Sequence, residues 1–227
     1  MKSLNRNTLA IYIASFFSYH MYIPSALLAS FYAWYPSVDP NLVILVYSAP
    51  MLVSALLALA LGAVMPKLNK KLAMLVGLGV IIVAGCMVVF THGGSFPLAL
   101  TATILTGVGY AVVLNVTNTL LVELDPASSS KTIAINAAVG CIGPMILTYG
   151  AGVLAKDGDW TRAYWLCFPV VITFLLVLFL YRAPKGQTVA QPAAGGAQAQ
   201  PAAPAGKANY GLFVAVVLIF LLGMIGN

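Results

Sequence analysis

The side chains able to do chemistry are few, and they sit inside long apolar runs. His20, flanked by Tyr19 and Tyr22, falls near the middle of the first run. A histidine there could bind an anion or pass a proton, since its ordinary pKa lies near neutrality, or it could make an interhelical hydrogen bond. Tyr47 belongs to the second run, Tyr110, Asn115 and Asn118 to the fourth, and Asn136 and Tyr149 to the fifth. Asn115 and Asn118, three apart, share a helix face. Phenols and amides are costly in hydrocarbon, so each is expected against a neighbouring helix or a solvated cavity. No Asp, Glu, Lys or Arg interrupts the runs, and Glu123 and Asp125, where the fourth ends, read as a solvated pair near Lys131. There is no Ser-His-Asp set, phosphate loop or metal-ligand spacing, so no enzyme activity, cofactor or metal is expected. Cys86, Cys141 and Cys167 read as small buried residues.

The elements that must position these groups follow from composition. Charged residues are 7% of the chain and apolar residues 61%, whereas a soluble domain carries about 25% charge. Such a chain needs a bilayer as its solvent. Seven runs approach the ~20 residues of one crossing: about 8–34, 42–65, 72–91, 97–122, 132–155, 163–181 and 210–227. They must be helices, because backbone polar groups in hydrocarbon are satisfied within the segment. Pro24, Pro50, Pro144 and Pro169 lie inside them and predict bends. The frequent glycines read as close helix packing, with hinge points as the alternative.

Basic residues set the orientation. With the N-terminus cytoplasmic, Lys2, Arg6, Lys67, Lys70, Lys71, Lys131, Arg182, Lys185 and Lys207 fall inside, and only Lys156 and Arg162 outside. Nine against two selects this multi-pass topology in a cell (inner) membrane. The same distribution explains the net charge of +6 without nucleic acid, for which no basic stripe exists. The first run is too long for the ~7–15-residue core of a signal peptide and reads as a retained span. Residues 183–208 differ sharply: Ala, Pro, Gly and Gln fill 22 of 26 positions. That composition predicts a disordered cytoplasmic linker. It separates a six-span unit, 1–182, from the seventh span, 209–227, which reads as cut short.

Six spans, a cytoplasmic linker and a further span resemble the layout of the major facilitator superfamily. Gly62, Lys67, Lys70 and Lys71 resemble that family's motif in the loop after span 2, although Pro66 stands where the pattern has an acid and Asn69 where it has a second glycine. Gly140, Gly143, Pro144 and Gly150 resemble the Gly-Pro motif of its fifth helix, without the glycines directly after the proline. In span 4 the family pattern has an arginine four residues before Gly107, where this chain has Thr103. Asp159 to Trp165 resembles its Trp-Arg start to span 6.

The resemblance implies an all-α membrane protein: a six-helix bundle of two inverted three-helix repeats, then the linker and a seventh helix. It implies secondary active or facilitative transport of a small solute by alternating access, with spans 1, 2, 4 and 5 lining the cavity. The candidate cavity residues are then His20, Tyr19, Tyr47, Tyr110, Asn115, Asn136 and Tyr149. The candidate conformational residues are Gly62, Lys67, Lys70, Lys71, Gly143 and Pro144. The partners implied are the lipid bilayer, the solute, a coupling ion, and the missing C-terminal half or a partner subunit. The alternative is a half-size or non-transporting subunit or receptor that needs a partner. A retinal protein requires a lysine within its last span, and here Lys207 precedes it.

Overall fold

The structure, a computed structural model, describes residues 6–65, 68–124 and 126–181. Lys67, the expected linker 183–208 and the expected seventh span 209–227 lie outside the described residues. Among the described residues every regular element is helical: α1 (Arg6–Phe17), α2 (Ile23–Trp34), α3 (Pro40–Val43), α4 (Leu45–Val64), α5 (Lys70–Thr91), α6 (Phe96–Leu124), α7 (Ser129–Leu154) and α8 (Phe168–Leu180), with 3₁₀ stretches between some of them. Five helical stretches are long and apolar enough to cross a membrane: Pro40–Gly62, Lys70–Thr91, Phe96–Leu124, Ser129–Leu154 and Trp160–Phe179.

The first apolar run is helical over the expected length but broken. α1 and α2 are 12 residues each, joined through a 3₁₀ turn over Tyr19–Tyr22. Pro24 is the cause: it has no N–H for the His20 carbonyl, and its ring crowds that oxygen. The Ile23 N–H bonds to the His20 carbonyl instead, in 3₁₀ fashion. The sixth run is built alike, with a 3₁₀ stretch over Trp160–Cys167 running into α8 and Pro169 in its first turn. In α4 and α7 the prolines Pro50 and Pro144 are carried inside continuous helix.

α6 is the centre of the bundle. It packs on α5 and α4, while α7 packs on α2 and α1, and α8 on α1 and α5. Its largest close approach is to α4, where a side chain on Gly107 would run into the Pro50 backbone, 2.8 Å from its Cα. α5 turns Leu72, Val76, Val83 and Phe90 outward, and α8 turns Phe168, Ile172, Leu175 and Phe179 outward. α7 buries one thin stripe, Asn136, Gly143, Leu147 and Ala151. Apolar side chains facing out along most spans are what a bilayer-embedded bundle requires.

Candidate functional site

The break in the first run turns consecutive residues toward different neighbours. Tyr19 is buried and lies against Tyr110 of α6, ring centroids 5.1 Å apart. Tyr22 meets the same ring edge-on at 6.2 Å. Tyr19 and Tyr22 also approach each other, ring centroids 6.1 Å apart, and α4, which carries Tyr47, packs against the 3₁₀ turn that holds both. Tyr22, Tyr47 and Tyr110 are only half-buried.

The fifth run supplies the floor under Tyr19. A side chain on Gly140 would meet the Tyr19 hydroxyl, and one on Gly143 would come 3.1 Å from the Tyr19 ring and 3.2 Å from the Phe16 carbonyl oxygen. These two glycines form a shallow groove that admits the phenol. Residues from the first, fourth and fifth runs thus meet at this break, with α4 of the second run packed beside it.

His20 points elsewhere. Its ring is fully buried, with Nδ1 2.6 Å from the Phe17 carbonyl oxygen and Nε2 2.8 Å from that of Leu166 in the sixth run. Both neighbours are carbonyl oxygens, so the neutral ring donates to one of them from whichever nitrogen carries its proton, bridges two helix breaks, and is not brought into the tyrosine group. Asn136 Nδ2 donates to Asn118 Oδ1 at 2.8 Å, joining α7 to α6. Asn115 Nδ2 donates to the Ala111 carbonyl of its own helix at 2.8 Å. Tyr149 is 77% exposed on α7 and touches none of the tyrosine group.

At the other candidate locus, adjacent lysines take different partners. Lys70 Nζ is 2.9 Å from Glu123 Oε1 at the end of α6. Lys71 Nζ donates to the carbonyls of Leu178 and Tyr181 at 2.8 and 2.9 Å. Lys71 therefore caps the C-terminus of α8, where unpaired carbonyls favour a cation. Glu123, expected as a solvated acid near Lys131, is instead half-buried in an ion pair with α5. Asn69, which stands at the family pattern's glycine, N-caps α5 by accepting from the Leu72 N–H at 3.2 Å; an asparagine before an apolar run is an N-cap signal the motif comparison passes over. Gly62 lies half-buried in the last turn of α4. Among the described residues no cluster of His, Cys, Asp or Glu could hold a metal.

Several long apolar helices that enclose an inner group of phenols and amides define a multi-pass membrane protein of helical-bundle type. The sequence model of the Major Facilitator Superfamily matches residues 8–227, and the chain belongs to that family, whose members are membrane transporters of small solutes. No match was found among curated proteins.

Proposed function

We propose that this chain moves a small solute across the cell (inner) membrane by alternating access, as a secondary active or facilitative transporter with its N-terminus cytoplasmic. One observation carries the reading: Tyr19, Tyr22 and Tyr110 gather where the first span is broken, and α4, which carries Tyr47, packs on the same turn. They come from three of the four spans expected to line a cavity, and the fourth contributes the Gly140–Gly143 floor. A broken helix at membrane depth is tolerated where it lines a cavity or is covered by protein. In this reading residues 1–182 hold six spans, related as two inverted three-helix repeats. Tyr19, Tyr47 and Tyr110 contact solute, and His20 positions the first span against the sixth. Lys70 and Lys71 tie the cytoplasmic ends of α5, α6 and α8 so that they move as one body.

The test is solute counterflow in proteoliposomes across a panel of sugars, amines and carboxylates. A solute-dependent flux is expected, with Tyr110→Phe changing its apparent affinity by about tenfold, the scale of one lost hydrogen bond. Flux unaltered by Tyr110→Phe would move the site elsewhere. No flux with any member of the panel, from correctly inserted protein, would favour a non-transporting subunit or receptor.

A further inference from the structure

On the outward side of the bundle, α5 and the start of the sixth run do not close against each other. Between them lies a groove of about 150 Å³ that presents only apolar atoms. Its origin is compositional. Gly85 has no side chain, and a Cβ there would sit 2.5 Å from the Cβ of Cys167, so the helices touch through their smallest residues. Cys86, next along α5, is too short to fill the space beside that contact. Larger groups stand at the rim: Phe90, 80% exposed, on one side, and Trp165 stacked on Phe168 at 4.8 Å on the other.

We infer that this groove holds one acyl chain of a bilayer lipid. Three arguments fix the occupant. A groove lined only by apolar atoms offers water no hydrogen-bond partner, and about 150 Å³ of it suits a stretch of methylene groups from one chain. The groove is also continuous with the outward apolar faces of α5 and α8, through Val83 and Ile172, which are the faces a bilayer covers. Finally, it is a slot between raised aromatic rims. A helix of a second copy packs with its axis about 8–10 Å away and needs a broad face, whereas a single chain needs only the slot. The orientation proposed above puts it in the outer leaflet, but the inference does not depend on which solute is moved.

Native mass spectrometry of the full chain released from phosphatidylcholine-containing micelles tests the stoichiometry. One phospholipid per chain is expected, and Cys86→Phe, which fills the groove, is expected to lower the bound fraction about tenfold. Phosphatidylcholine brominated along its acyl chains tests the place. It should quench the emission that Trp165→Phe removes, and the quenching should fall in Cys86→Phe. Equal lipid retention in wild type and Cys86→Phe overturns the inference, as does a lipid-free chain or a dimer that shields Trp165 from bromine. Should Cys86→Phe fail to fold, Val89→Phe fills the same groove, and absence of Trp165 quenching in the wild type is decisive by itself.

Discussion

His20 Nε2 lies 2.8 Å from the carbonyl oxygen of Leu166, and the contact joins the breaks of two spans. Carbonyls beside a break in a helix are poorly served by the backbone, and in an apolar interior an unpaired carbonyl costs about 1–3 kcal/mol. The imidazole lies between two such carbonyls, Phe17 on the Nδ1 side and Leu166 on the Nε2 side, and its one N–H answers one of them.

Replacing His20 by Leu keeps the volume and removes the ring N–H that satisfies one of these carbonyls. Thermal unfolding in detergent is expected to show a loss of about 1–3 kcal/mol. His20→Gln, which retains one amide donor, should recover part of it. A His20→Leu protein as stable as wild type would show that neither contact matters.

The second to sixth runs were legible as spans because membrane helices are set by the length of apolar sequence, and composition measures that directly. The helix breaks were half legible: Pro24 and Pro169 mark bends, but the length of each 3₁₀ stretch depends on which neighbour accepts the freed groups. That dependence hid the direction of His20. Tyr19, His20 and Tyr22 are nearly consecutive, and a change of helix type between them alters which faces they present. So the sequence placed His20 and Tyr19 at one depth without showing that they look toward opposite neighbours. The lysine pair poses the same difficulty, since residues adjacent on a helix point about 100° apart. Positive-inside statistics locate Lys70 and Lys71 at a membrane face but say nothing of Glu123 or of the α8 carbonyls.

Gly140 and Tyr19 provide a direct test of the seam. Gly140→Ala puts a methyl group into the Tyr19 hydroxyl, and overpacking of this kind costs about 1–3 kcal/mol. In Tyr19→Phe the obstructing oxygen is gone, so the same alanine should cost less. A double-mutant cycle on unfolding free energies is expected to show coupling of about 0.5–3 kcal/mol. Strict additivity would mean that the two residues do not touch.

The Lys70–Glu123 pair and the Lys71 cap should separate by salt dependence. Lys70 and Glu123 keep side-chain exposures of 20% and 13%, so added salt screens them only in part. Lys70→Met and Glu123→Gln are each expected to destabilise, with the double variant less costly than the sum. Lys71→Met removes two hydrogen bonds to α8 and should be additive with Glu123→Gln. Hydrogen exchange at residues 178–181 would report it: faster exchange is expected in Lys71→Met and not in Lys70→Met.

Asp159 sets the acid limit of the loop before the sixth span. Its carboxylate accepts from the Thr161 hydroxyl at 2.5 Å and from the Thr161 N–H at 3.1 Å, and Arg162 Nε lies 3.2 Å away. The Thr161 hydroxyl, then the Thr161 N–H and Arg162, hold its pKa below the ordinary carboxylate range, with partial burial opposing them. The folded value is therefore lower than the unfolded one, and the unfolded state binds the proton first as pH falls. The stabilisation is complete above the unfolded value, about 4, and fades as pH drops through the folded value beneath it. Thr161→Val removes the leading cause while keeping the backbone bond, so the folded value should rise toward the unfolded one, which shrinks the stability lost to acid and lifts the lower end of the window toward about pH 4. Asp159→Asn should abolish this residue's share of the acid limb altogether. Melting temperatures from pH 2.5 to 6 would measure both, and an acid limb identical in all three proteins would exclude Asp159 as the group that sets it.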